Sequence, residues 1–149
     1  MIKVIIIEDE KPSARRLQRM LSAINIEAEA MLHSVSEAVS WFQNNEHPDL
    51  ILLDIQLSDG LSFEIFEQVS VKSAIIFTTA YDEYALKAFK LNSIDYLLKP
   101  IDDEELVVAI EKFKINQPEN HDILVDINQI KKLLVNPLDR DYKKDSRLR

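Results

Sequence analysis

The chain contains no cysteine and a single glycine, Gly60. Without cysteine there is no disulfide, no thiol nucleophile and no cysteine-ligated zinc or iron–sulfur centre. That absence fits a reducing compartment. One glycine cannot build the Gly-rich loops that cradle the phosphates of a dinucleotide or a nucleoside triphosphate, since each needs several. Positive charge is also scarce: 18 Lys and Arg stand against 26 Asp and Glu, a net of −8 over 149 residues. The imbalance lies in residues 1–118, which are too acidic to bind nucleic acid by themselves. Long apolar runs are missing as well. The first run, residues 4–7, ends at three successive acidic residues, so it is neither a signal peptide nor a membrane span. A cytoplasmic protein without membrane contact is expected.

What is present is a balance of 46% apolar and 30% charged residues, which suits a folded domain rather than a disordered chain. Short apolar runs alternate with amphipathic stretches. Strands are predicted at residues 4–7, 26–31, 50–53, 74–77 and 94–98. Helices are predicted at 13–24, from 36 to before Pro48, and at 61–69, 82–91 and 102–113. Leu17, Met20, Leu21 and Ile24 share one face of the first helix, with Pro12 acceptable in its first turn. The runs at 4–7, 50–53 and 74–77 are apolar throughout. Such strands are buried on both faces, which implies a parallel sheet covered by helices, an open doubly wound α/β sandwich. Residues 115–125 read as a domain edge. A short amphipathic helix is expected at 126–135, stopped by Pro137 and followed by a basic tail.

In an open α/β sheet the site lies beyond the carboxyl ends of the strands. Glu8 and Asp9 follow the first apolar run, Asp54 the third, Thr79 the fourth and Lys99 the fifth. Parallel strands bring all five side chains to one edge. Three carboxylates there repel one another, and a hard divalent cation relieves this; Mg2+ suits an all-oxygen site with few protein ligands. A carboxylate nucleophile, a metal, a lysine and a hydroxyl together suit phosphoryl transfer to Asp54. Each residue alone has a plainer explanation: a helix N-terminus for the acidic run, a loop cap for Asp54, a turn for Lys99-Pro100. Their coincidence at the ends of four different strands favours a site. His33, His47 and His121 show no metal-ligand or triad spacing and read as surface or packing residues.

The strings VIIIEDE, DLILLDIQLSDG, IIFTTAYDEYALKAF and SIDYLLKPI occur in order over residues 1 to about 114. Together they resemble the receiver domain of bacterial two-component response regulators. The resemblance implies a flavodoxin-like five-stranded parallel sheet of order 2-1-3-4-5 with five flanking helices. It implies that Asp9 binds Mg2+ directly and Glu8 through water, and that Asp54 is both phosphoacceptor and metal ligand. The backbone carbonyl of Gln56 would complete the metal site. Thr79 would be the switch hydroxyl, Lys99 the phosphate contact, Tyr96 the aromatic switch, and Ala80 would leave room for the phosphoryl group. The Lys99-Pro100 bond is expected to be cis. Ser58 and Ser62 depart from the proline and glycine frequent at these places, and Glu8 departs from the commoner aspartate.

TTAYDEYALKAF and DYLLKP look most like receivers that precede a LytTR-type DNA-binding domain. On that resemblance residues 1–118 are the receiver, and 119–149 are a linker with a short helix leading to an output domain absent from this chain. The expected partners are a histidine kinase and a second copy, through the face made by 82–91, 94–98 and 102–113. DNA would be bound only through the missing domain. The chain would be a self-catalysing phosphoacceptor switch rather than an enzyme. Alternatives are a phosphorylation-independent interaction module and a single-domain shuttle. A haloacid-dehalogenase-type phosphatase needs a second aspartate two residues after the nucleophile, where Gln56 stands.

Overall fold

A computed structural model describes residues 2–80 and 95–115. Strands β1 (Val4–Ile7), β2 (Ala28–Leu32), β3 (Leu50–Asp54), β4 (Ala74–Thr79) and β5 (Asp95–Leu98) form one parallel sheet in the order β2-β1-β3-β4-β5. Helices α1 (Lys11–Ser22), α2 (Val35–Asn44), α3 (Phe63–Gln68) and α4 (Asp103–Ile115) cover its faces. The expected helix at 82–91 and the expected linker helix at 126–135 lie outside the described residues, as does the whole 119–149 segment.

Side-chain alternation explains both faces. Ile5, Ile7, Ile51, Leu53, Ile75 and Phe77 pack with Val35, Phe42, Phe63 and Ile65 of α2 and α3. The intervening Val4, Ile6, Leu50, Leu52, Ile76 and Leu97 pack with Ala14, Leu17, Leu21, Leu106 and Ile110 of α1 and α4. Most of these strand residues have essentially no exposed surface. At about 1.5–3 kcal/mol for each fully buried aliphatic side chain, this two-sided burial is what holds the sheet between its helices. Strand β2 is the exception anticipated from its alternation: Glu29 and Met31 are more open, and the strand lies at the sheet edge.

Element ends differ from the expected ones for local reasons. Helix α1 begins at Lys11, with Pro12 in its first turn, and ends at Ser22, because Asn25 turns the chain with φ 66°. Asparagine is among the few non-glycine residues that tolerate that region. Strand β4 continues through Thr78 and Thr79, which pair with Leu97 and Leu98. Helix α3 starts two residues later than expected, because Gly60–Leu61 pairs with Gln56–Leu57 as a two-residue antiparallel ladder. Helix α4 is capped by Asp102, whose Oδ2 accepts from the backbone N–H of Glu104 (3.0 Å) and Glu105 (3.1 Å).

Gly60 has φ 147°, and a Cβ placed there would lie 2.6 Å from Glu64 Oε2. Glu64 is exposed and can swing away, so the backbone conformation is the larger obstacle. Gly60→Ala is expected to cost about 1–3 kcal/mol in urea denaturation. Unchanged stability would show that the turn relaxes without strain.

Candidate functional site

The site is built by the strand ends. Glu8 follows β1, Asp54 closes β3, Thr79 closes β4 and Lys99 follows β5. Backbone hydrogen bonds carry the ladder to this edge: Glu8 N–H donates to the Leu32 carbonyl (2.9 Å) and Lys99 N–H to the Thr79 carbonyl (2.8 Å). The edge lies beside β1 and β3, where strand order reverses direction across the sheet. The Lys99-Pro100 peptide is cis, as expected.

Three charged groups meet there. Lys99 Nζ lies 2.7 Å from Glu8 Oε1 and 2.9 Å from Asp54 Oδ2. Glu8 is fully buried and Asp54 is 6% exposed. Asp9 is half-buried, and oxygens of Glu8, Asp9 and Asp54 all lie within 4.8 Å of one another. This is a compact, all-oxygen donor set, and it fits a hard divalent cation such as Mg2+. The Gln56 side chain is exposed, and its backbone N–H reaches Asp54 Oδ1 at 3.3 Å. Thr79 is buried, Ala80 is exposed, and Tyr96 is half-buried against the α2/α3 side of the core.

Burial raises the Glu8 carboxyl from 4.5 to about 7; Lys99 opposes the rise and the Asp54 charge adds to it. Burial also raises Asp54, against its hydrogen bond from Lys99. Burial works to lower the Lys99 ammonium, but its bonds to Glu8 and Asp54 outweigh this and its pKa is raised. One lysine therefore does not compensate two buried carboxylates. For Glu8 the deficit is roughly 3 kcal/mol against the charged form.

Two polar residues near this edge are absent from the set of site residues expected from the sequence. His33, which reads in the sequence as a surface or packing residue, donates from Nδ1 to the Glu8 carbonyl at 2.8 Å. It comes directly after β2, so its place at a strand end is the signal that could have found it. Asp59 accepts from the α2 backbone N–H groups of Val35 (2.8 Å) and Ser36 (3.1 Å). The contact to Val35 spans 24 residues, and no local pattern announces it.

The sheet order and the acid–lysine edge define a receiver-type doubly wound α/β domain. The profile of the response regulator receiver domain matches residues 4–111, and the chain belongs to that family. It is 38% identical to the sensory transduction protein LytT of Bacillus anthracis over 118 residues, which cover 76% of this chain and 48% of that protein. It is 39% identical to the LytT of Enterococcus faecalis over 113 residues, covering 73% and 46%. The chain thus spans about half the length of these relatives. A two-component response regulator from Clostridium difficile shares the fold, with TM-score 0.64, 26% identity and coverage of 80% of this chain and all of that one. No helix among the described residues is long and apolar enough to cross a membrane.

The raised Glu8 pKa fixes a pH dependence. A carboxyl that binds its proton more tightly when folded contributes stability that is complete below about 4.5 and lost as pH rises through about 7. In EDTA, stability from urea denaturation is expected to fall between about pH 4.5 and 7, and Glu8→Gln is expected to flatten the slope. An equally steep slope in the variant would assign it to another group.

Proposed function

We propose that this receiver domain accepts a phosphoryl group on Asp54 and switches in response. The observation that carries the reading is the Lys99–Asp54–Glu8 cluster at the carboxyl edge, with Asp9 completing three convergent carboxylates. Asp9 and Asp54 would hold Mg2+ directly, Glu8 would act through water, and Gln56 would offer its backbone carbonyl. When bound, the ion supplies charge neutralisation for the transferring phosphoryl oxygens.

Asp54 attacks the phosphorus of a phosphohistidine on a partner kinase. The new bond is an acyl phosphate; the bond broken is phosphorus–nitrogen, and the imidazole leaves. Oδ1, held by the long 3.3 Å bond from Gln56 N–H, is the oxygen more easily freed for attack. Oδ2 stays oriented by Lys99. Lys99 then turns to the phosphoryl oxygens, which bring about −1.5 to −2 of new charge. Thr79, at the end of the neighbouring strand, supplies a hydroxyl donor, and Tyr96 follows it inward. Reversal by water makes the domain a switch rather than an enzyme with external turnover.

The output is control of a transcriptional domain, proposed because the matched region covers only 48% and 46% of the LytT relatives. DNA would be bound through that further domain and not through this acidic one. Dimerisation would use the face containing β5 and α4, where Val108 and Ile115 stand 63% and 77% exposed. A cytoplasmic location accords with a kinase-coupled switch. The alternative is a receiver-like module that binds partners without phosphorylation.

Incubation with acetyl phosphate and Mg2+, followed by intact mass measurement, tests the proposal. A gain of one phosphoryl group is expected, absent in EDTA and in Asp54→Asn. No gain in the wild-type chain would favour the phosphorylation-independent module. Light scattering with a phosphoryl mimic is expected to show a doubled mass, and an unchanged mass would remove the dimer step.

A further inference from the structure

Asp59 stands at the tip of a small hairpin that begins at the phosphoacceptor loop. Gln56 pairs with Leu61 and Leu57 with Gly60, which leaves Ser58 and Asp59 as the two turn residues. Free two-residue hairpins favour turns with positive φ at one or both of these positions. Neither Ser58 nor Asp59 has positive φ. The positive φ of this hairpin falls instead on Gly60, just after the turn, and the tip itself is fastened from outside.

The fastening is to α2. Asp59 Oδ1 accepts from Val35 N–H at 2.8 Å and Oδ2 from Ser36 N–H at 3.1 Å. The remaining free N–H of that first turn, on Glu37, is taken by Ser34 Oγ at 3.1 Å. Glu37 Oε1 in turn accepts from His33 N–H at 2.7 Å. Ser34 satisfies one N–H of this turn, and the hairpin carboxylate satisfies the two that remain, on buried Val35 and on Ser36. The Val35 and Ser36 N–H groups hold the Asp59 carboxyl below its usual value, which agrees with a formed contact.

The same turn also reaches the other acidic loop. His33 Nδ1–H donates to the Glu8 carbonyl at 2.8 Å. The start of α2 is thus a common anchor. On one side it fixes Glu8 and, with it, the neighbouring Asp9. On the other it fixes the hairpin whose base is Gln56, two residues from Asp54.

We propose that Asp59 is a positioning residue for the phosphoacceptor site, holding the Asp54–Gln56 loop at its working distance from Glu8 and Asp9 through the first turn of α2. The inference rests on the Mg2+-dependent function proposed for this site. Loss of the clamp leaves all the proposed ligands in place but lets their spacing vary, so cation affinity falls without loss of any ligand. Direct outer partners of metal ligands are worth about 10–100-fold in affinity. Asp59 acts one step further out, so about three- to tenfold is expected.

Calorimetric titration of the 149-residue chain with Mg2+ tests this, beside Asp59→Ala, Asp59→Asn and Ser34→Ala. Ser34→Ala also removes a bond from the start of α2 but leaves the hairpin clamp intact. A purely structural role for Asp59 would lower thermal stability in Asp59→Ala and Ser34→Ala alike and leave the Mg2+ Kd of the folded protein unchanged. A positioning role raises Kd about three- to tenfold in Asp59→Ala, less in Asp59→Asn, and not in Ser34→Ala. Should Asp59→Ala fail to fold, Asp59→Asn decides, because it keeps the shape and one acceptor. Wild-type binding with an unaltered Kd in the Asp59 variants overturns the clamp alone. Absence of Mg2+ binding in the wild type overturns the clamp together with the function it rests on.

Discussion

A single ammonium, Lys99 Nζ, holds two buried carboxylates at 2.7 and 2.9 Å. The geometry around it derives from that constraint. Carboxylates this deep are tolerated only when paired, and one positive charge between two negative ones leaves a deficit. The deficit shows in the raised Glu8 and Asp54 pKa values despite contact with Lys99. A domain selected for stability alone would fill this edge with aliphatic side chains, as the rest of the strands do. The retained charge is instead what the cation and phosphoryl group proposed for this edge would act upon. Each would change the electrostatic balance of a buried site shared by several strand ends.

The fold supplies the rigidity this requires. Strands β1, β3 and β4 are packed from both faces, so Glu8, Asp54 and Thr79 leave the sheet from fixed points. The loops beyond those points are shorter of support. Gln56 has a long bond to Asp54, and the hairpin after it depends on Gly60 and on contacts outside itself. The strands are thus better supported by packing than the connections that carry the site.

The architecture was legible in the sequence because its signal is local and redundant. Unbroken runs such as Leu50–Leu53 announce burial on both faces, and Glu27 and Glu29 announce the half-open edge strand. The candidate site was legible by the same logic, since parallel strands bring the residues after each run to one edge. Boundaries were less legible. Thr78 and Thr79 look like a loop in isolation, and only their pairing with Leu97 and Leu98 makes them strand. Long-range polar contacts were not legible at all. Nothing near Asp59 names Val35 and Ser36 as its partners, and nothing near His33 names the Glu8 carbonyl. Such contacts depend on how two loops approach each other, which no periodicity encodes.

Glu8 and Asp54 share one ammonium, too little positive charge for two buried carboxylates, and the cation proposed for this edge would make up that shortfall. Carbon-detected NMR titration of the side-chain carboxyl groups, with and without Mg2+, tests it directly. Glu8 is expected to titrate near 7 in the metal-free protein and well below that in Mg2+. Titration near 4.5 in both conditions would contradict the shortfall, since Lys99 alone would then suffice.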